Sequence, residues 1–287
     1  MNRFPLKSVL CIFIGLLTVQ ACAQNSVKLE YKFTPGKVLR YEIIKKETST
    51  GSDKGYTPSD GDWSGILTLN VEKVLENGDA EIKASYESVI IQAPGAKPRQ
   101  IVPGEVKVGS ITITVSNKGV IRDIAAMIGN TAGSIGFNCE SPEASGKKRM
   151  IEFVTDVYRP ILSTLWPEFP KKEVKQGDTW KQGVRPPSCS GTATVKSKLN
   201  KINDKYNGYK AVSIIRSIND KSPAGTIDDK SNILFSLDKG QIIYLKNSDK
   251  MQMRGVLVDF EDEKKGTMDV NWSGSTEISL LPAGKDK

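Results

Sequence analysis

The sequence predicts a mainly β protein with minor α content: a curved antiparallel sheet or half-barrel, built from two β-rich repeats around one central kinked helix. Apolar and polar residues alternate in many stretches that are separated by turns containing Gly, Asn or Pro. One stretch near the middle has helical spacing instead. The features before this stretch recur after it in the same order. Closure of the sheet into a full barrel is left open.

The helical pattern lies within residues 141–169, which we define as the central helical segment. Its apolar positions recur at steps of three and four residues. They are Met150, Phe153, Val154, Val157, Tyr158, Ile161, Leu162 and Leu165. Pro160 lacks a backbone donor and clashes with the carbonyl of Asp156, which predicts either one kinked helix or two short ones. Pro167 ends the helix, because a residue before proline avoids helical angles.

Residues 1–21 have the pattern of a signal peptide, with a basic start followed by the apolar run Val9–Leu17. This run is too short for an ordinary membrane span, and no later stretch is apolar enough to be one. We therefore expect an exported protein of the cell envelope. The formal net charge of +8 is spread among nearly as many acids, which gives no nucleic-acid footprint.

Two cleavage patterns overlap at the end of the signal peptide. Ala21-Cys22-Ala23 fits ordinary signal peptidase, whereas Val19-Gln20-Ala21-Cys22 resembles the bacterial lipobox. In the second case Cys22 carries lipid and anchors a periplasmic or outer-membrane lipoprotein, although Gln20 departs from the usual pattern. The sequence leaves both alternatives open and favours lipidation.

The mature chain keeps Cys139 and Cys189, an even pair in an oxidising compartment. A disulfide between them would close a loop of about 50 residues and stabilise the fold by about 4 kcal/mol in the chain-entropy model. The alternative is two free thiols.

The first half divides into residues 22–62, with N-terminal strands and a loop from residue 45, and a first β-rich repeat over 63–140. Asn77-Gly78 predicts the turn of a strong hairpin. Residues 122–134 are expected to hold a short helix. The second repeat and a C-terminal hairpin occupy 170–287, with a loop at 219–230.

Four landmarks of the first half return in the second half. The pairs are Gly36–Leu39 with Gly177–Trp180, Ser64–Leu69 with Ser190–Val195, Asn77-Gly78 with Asn207-Gly208, and Thr114–Ile121 with Phe235–Ile242. A shared order favours duplication. The alternative is that hairpins with Asn-Gly and Lys-Gly turns resemble one another.

The residue types exclude several classes of chemistry. The chain has no histidine, which removes His-based triads, bases and metal sites, and its cysteines are too few for a zinc cluster. No phosphate loop or dinucleotide fingerprint is present, so neither a metal nor a cofactor is expected. Carboxylate pairs such as Asp228 with Asp229, or Asp259 with Glu261, can serve glycosidases, but we expect them in turns that face solvent. The sequence predicts a protein that is not an enzyme.

Two pieces of the chain resemble an uncharacterised family of exported bacterial proteins. Pro35–Tyr41 contains a G-K-x-x-x-Y opening, and Phe169–Trp180 contains P-x-x-x-V-x-x-G-D-x-W. The resemblance spans most of the mature chain and implies an exported location and a β-rich architecture, without an established activity. The layout is also similar in outline to lipoprotein carriers of the LolA kind, which hold acyl chains between a curved sheet and helices.

Two functions follow as hypotheses. In the first, the protein binds an apolar or amphipathic ligand, such as a lipid, between the sheet and the central helix. Its lining residues are Phe153, Val157, Tyr158, Ile161 and Trp166, whose alternative role is ordinary core. In the second, it is a membrane-tethered structural or protein-interaction component without a small ligand. A cavity of several hundred Å³ beneath the helix favours the first hypothesis, and a solid core favours the second.

Overall fold

A computed structural model describes residues 26–52, 61–92, 99–101, 110–128, 131–136, 158, 161–184, 193–222, 225–259 and 265–282. Several residues singled out above lie outside these ranges. They include Cys22, Cys139, Met150, Phe153, Val154, Asp156, Val157, Pro160, Cys189 and Glu261.

The described chain is mostly strand. The strands are β1 (Val38–Gly51), β2 (Gly61–Val74), β3 (Ala80–Gln92), β4 (Arg99–Ile101), β5 (Ile111–Val115), β6 (Ile121–Ile128), β7 (Thr131–Gly136), β8 (Thr179–Val184), β9 (Ala193–Tyr206), β10 (Tyr209–Ser222), β11 (Gly225–Ser236), β12 (Gln241–Asp259) and β13 (Lys265–Leu280). Residue 158 and residues 161–165 are helical. They belong to the central helix predicted from the sequence.

The thirteen strands form one antiparallel sheet in the order β7-β6-β5-β3-β2-β1-β13-β12-β11-β10-β9-β8, with β4 paired to β3. Neighbours in the sheet are mostly neighbours in the chain, because short hairpins connect them. The exceptions are the pairing of β3 with β5 and that of β1 with β13, which joins the first strand to the last. The sheet is curved and unclosed, with β7 and β8 at its two ends. The predicted mainly β fold with little helix is confirmed.

The paired landmarks fall at similar points of the strand sequence. Gly36 (φ 76°) precedes β1 and Gly177 (φ 93°) precedes β8, each in the left-handed region that glycine tolerates best. Gly119 and Gly240 end the turns before β6 and β12. Duplication remains a prediction.

Three local predictions were wrong. Residues 122–128 and 131–134 belong to β6 and β7 and not to a helix. Residues 219–222 and 225–230 are not a loop but belong to the paired ends of β10 and β11. The segment from Lys45 to Gly51 continues β1. In each case hydrogen bonding to a neighbouring strand outweighs the local composition.

One face of the sheet, which we call the inner face, carries the core. An apolar row crosses six adjacent strands, each residue directly opposite the next. It consists of Leu199, Ile214, Ile233, Leu245, Ile278 and Ile43, all 0% exposed. Tyr158 and Leu162 of the central helix belong to the same core. Burying each such side chain contributes about 1.5–3 kcal/mol, so this layer dominates the packing energy.

The segment Ser26–Phe33 is held between two hairpin turns of this sheet. The Tyr31 amide donates to the Asn117 carbonyl at 2.8 Å in the β5–β6 turn, and the Lys32 amide donates to the Gly240 carbonyl at 3.0 Å in the β11–β12 turn. The Tyr31 hydroxyl donates to the Pro167 carbonyl at 3.2 Å, just after the helix. The N-terminal segment therefore connects the two arms of the sheet to the end of the helix.

Candidate functional site

The inner face beneath the described part of the helix is filled. Tyr158, Ile161 and Trp166 are buried in the core, where the sequence placed its ligand-lining residues. The void beside Leu165 and Trp166 measures about 10 Å³. That volume admits at most one water molecule. A ligand beneath this part of the helix would have to displace core side chains.

Below the apolar row, the inner face becomes polar. The next row, which we call the polar row, crosses five adjacent strands in register. It consists of Ser197, Arg216, Ser231, Asn247 and Thr276, all buried. Lys45 of β1 continues it next to Thr276. A buried row of polar side chains destabilises the fold unless those side chains form hydrogen bonds within the protein or to a ligand.

Arg216 is the exceptional member of the polar row. It is 8% exposed, and its Nε has no hydrogen-bond partner. Within the described ranges no carboxylate forms an ion pair with its guanidinium. Burial lowers the pKa of Arg216, and the charges of Asp229 and Glu168 oppose that shift. The group stays cationic at neutral pH, since an arginine starts from a pKa above 12. This buried cation therefore has no direct counter-ion among the described residues.

Asp229 lies on β11 near this cation, but neutral groups hold it. The Asn247 Nδ2 donates to Asp229 Oδ2 at 3.1 Å, and the Ser231 hydroxyl lies 3.4 Å from Asp229 Oδ1. The Ser231 hydroxyl has a closer acceptor in Asn247 Oδ1, at 2.8 Å. This triangle fixes the carboxylate on the Asn247 side. Burial raises the pKa of Asp229, and Arg216 counteracts the rise from a distance.

A second carboxylate stands directly opposite Asp229 in the neighbouring strand. Asp249 of β12 pairs in register with Asp229, and on its other side with Gly274. A Cβ on Gly274 would lie 3.1 Å from both carboxylate oxygens of Asp249, so the glycine gives this side chain its space. Burial raises the pKa of Asp249, and the charges of Asp229 and Glu47 raise it further, while Lys45 lowers it.

Replacing Asp249 by asparagine is expected to stabilise the protein at pH 7. Because the folded-state pKa is raised, the folded state binds more protons than the unfolded state above the unfolded value of about 3.9. The stability contributed by Asp249 is therefore present at low pH and lost as pH rises. Urea unfolding should show a gain for D249N at pH 7 and none below about pH 4. The exposed Asp238→Asn is the control, and an equal effect of both variants would contradict the assignment.

Beyond the acidic pair, the inner face becomes apolar again. We call this region the distal patch. It consists of Ile227, Met251, Met253, Val270 and Trp272, which are adjacent in register on β11, β12 and β13. Four of the five are only partly buried, unlike the fully buried apolar row. Along its described residues, the inner face thus has a polar row with an unpaired cation between a closed core and a partly buried apolar surface.

A groove of about 480 Å³ opens at the distal end of the sheet, mostly on the outer face. It is lined by Thr48, Thr50, Thr226, Asp228, Lys250, Met251, Gln252, Asn271, Trp272 and Ser273. Most of these side chains alternate away from the inner face and are exposed to solvent. The groove is larger than the void beneath the helix, but it presents no buried, unpaired group.

Sequence reasoning missed the polar row. Asp228 and Asp229 were assigned to a solvent-facing turn, but they lie on β11 and alternate between the two faces. Only Asp228 is exposed. A period-two pattern across Ile227, Asp229 and Ser231 was the available signal, and the polarity of the stretch obscured it.

Within the part of the chain that the structure describes, no group of three or more acidic or cysteine side chains is placed to hold a metal. The same residues contain no helix with the length and hydropathy of a membrane span.

Comparisons with known proteins concern the fold. No family model and no curated protein matches the chain. A solved structure described as "Lipid-protein interactions in lipovitellin" is similar with a TM-score of 0.52 and 12% identity, over 89% of this chain. This chain spans 27% of the lipovitellin chain. The likeness concerns the fold alone. DynF from the dynemicin biosynthesis pathway of Micromonospora chersina aligns over 93% of this chain and 90% of its own, at 9% identity. Its TM-score is 0.24, which is too low to indicate a shared fold.

Proposed function

We propose that this chain is an exported cell-envelope protein that binds an amphipathic ligand against the inner face of its sheet, without catalysis. The observation that carries the proposal is the change along that face, from a closed apolar row through the polar row and the acidic pair to the partly buried distal patch. A ligand with an apolar chain and a polar end matches both surfaces at once.

Two further points support this proposal. The distal patch contains two methionines and a tryptophan, whose flexible or broad side chains suit variable apolar ligands. The lipovitellin structure, whose description concerns lipid–protein interactions, shares the fold at low identity. The sequence adds an export signal and a lipobox-like Cys22, which would tether such a binder to a membrane.

A second candidate function is a tethered interaction component without a small ligand. The filled space beneath the described helix favours it, as do Ile90 and Ile91, which are 38% and 44% exposed on β3. In that case the distal patch would contact a protein partner instead of a ligand.

Native mass spectrometry of the chain, expressed from its own N-terminus and purified after export, separates the two functions. For a binder we expect extra mass that is lost on denaturation and that extracts as an amphipathic molecule. A bare mass that stays unchanged after incubation with envelope lipid extract would overturn the binding function. The covalent mass at the mature N-terminus also reports whether Cys22 carries lipid.

A further inference from the structure

We propose that Arg216 is the head-group anchor of this protein and that its ligand carries an anionic head, either a carboxylate or a phosphate. This inference rests on the binding function proposed above and specifies the class of ligand. Its geometric basis is an arginine that is 8% exposed, has an unpartnered Nε and belongs to the polar row.

A buried cation of this kind requires an explanation. Three buried side-chain atoms lack a partner among the described residues: Tyr86 Oη, Gln182 Oε1 and Arg216 Nε. Only Arg216 bears a charge, and an unpaired charge costs far more to bury than a neutral group. A purely structural role would favour pairing it with a carboxylate such as Asp229, whose charge it feels. Instead, Asn247 and Ser231 hold that carboxylate.

The surroundings of Arg216 select an oxygen acceptor. Its neighbours in register are Ser197 and Ser231, two side chains that are much shorter than the arginine and end in a hydroxyl. A guanidinium presents a planar fork of donors that matches carboxylate and phosphate oxygens in pairs. Asp229 and Glu168 are near enough to affect its charge but form no ion pair with it. They lower the affinity for an anion and so favour exchange over permanent retention.

The distal patch gives the direction of the ligand. It begins four residues further along the neighbouring strands, on the same face as Arg216 and beyond the row that holds Asp229 and Asp249. An anionic head at the polar row would place an acyl chain over Met251 and Trp272. The apolar row on the other side is closed, since its residues are fully buried.

The test compares three ten-carbon probes by isothermal titration calorimetry: decanoate, decyl phosphate and 1-decanol. We expect the wild-type chain to bind at least one anionic probe about tenfold more tightly than 1-decanol. Arg216→Gln should lose about tenfold or more of the anionic affinity and keep its affinity for 1-decanol. Arg216→Lys should bind the anionic probe more tightly than Arg216→Gln but less tightly than wild type, because lysine restores the positive charge without the paired planar donors of a guanidinium. The preferred anionic probe distinguishes carboxylate from phosphate.

Two further variants show whether the change in affinity is specific to the charge at Arg216. Arg122→Gln is the matched control, because Arg122 is exposed and its Nη2 pairs with Asp79 at 3.0 Å on the far arm of the sheet. It should bind all probes like wild type. Asp229→Asn should bind the anionic probe more tightly, a gain that misfolding cannot produce. If R216Q lost affinity equally for charged and neutral probes, Arg216 would not be the head-group anchor. The same would follow if the wild-type chain bound anionic probes no more tightly than 1-decanol. Failure of every probe, 1-decanol included, would instead overturn the binding function.

Discussion

Replacing Gly119 by alanine is expected to lower the free energy of unfolding by about 2–5 kcal/mol. Gly119 ends the β5–β6 turn with a φ of +86°, where an L side chain is strained. An added Cβ would also lie 2.4 Å from the Pro167 carbonyl oxygen and 2.9 Å from Tyr31 Cε2. The first of these atoms is backbone and cannot rotate away. The substitution therefore combines backbone strain with overpacking.

Gly36→Ala is the control that separates these two effects. Gly36 has a similar φ of +76°, but nothing lies within 4 Å of its added Cβ. Its expected loss is about 1–2 kcal/mol, from backbone strain alone. Urea unfolding followed by circular dichroism measures both variants. Equal losses of unfolding free energy in the two variants would mean that Pro167 and Tyr31 move away from the added Cβ of G119A without energetic cost.

The effect of Gly119 extends beyond its own hairpin. The Phe169 amide donates to the Lys118 carbonyl at 2.8 Å, and the Lys118 Nζ donates to the Leu29 carbonyl at 2.9 Å. The turn therefore binds the end of the helix and the N-terminal segment together. We expect G119A to loosen both and to leave the distal hairpins paired, since they share no contact with this turn.

The hairpins were predictable because their signals are local. Leu67, Leu69 and Val71 alternate with polar residues, and all three are buried. Asn207 and Gly208 have φ angles of 47° and 82°, the left-handed conformation that an Asn-Gly pair adopts in a two-residue hairpin. Each signal acts within a few residues, where the chain determines its own geometry.

The long-range features were not predictable in the same way. Tyr41 pairs with Leu280 across the whole chain, and no local pattern specifies that partner. β6 has the spacing of a helix face at Ile121, Ile124 and Ile128, yet it pairs with β5. The five strands that carry the polar row lie side by side only in the folded sheet. The candidate site therefore depends on register, which a single sequence specifies weakly.

Replacing Phe235 by alanine is expected to destabilise the protein by about 3–5 kcal/mol. Phe235 of β11 is 0% exposed. Its ring meets those of Tyr31 and Phe169 edge-on, with centroids 5.5 Å and 4.9 Å away. The cost combines the lost burial with the cavity left among aromatic rings that the backbone holds in place. Chemical denaturation measures the loss.

Phe33→Ala is the matched comparison, because Phe33 stacks on Tyr31 with centroids 6.2 Å apart but is only partly buried. It should cost less than half as much. A loss as large as that of F235A would mean that the N-terminal segment, and not the sheet, dominates the cluster. The double variant F235A/F169A should also be non-additive, by about 0.5–1.5 kcal/mol, since the two rings touch.

The same variant locates the ligand. Phe235→Ala opens space beneath the end of the helix, where the wild-type void is only about 10 Å³. If the ligand lies on the polar row and the distal patch, F235A should bind decanoate with the wild-type affinity under conditions where it stays folded. If the ligand lies between the sheet and the central helix, beside Ile161 and Trp166, the new space should change that affinity severalfold. Stability depends on the closed core, and binding depends on the polar row and the distal patch. Measuring both the unfolding free energy and the decanoate affinity of F235A therefore shows whether the ligand lies in the core or outside it.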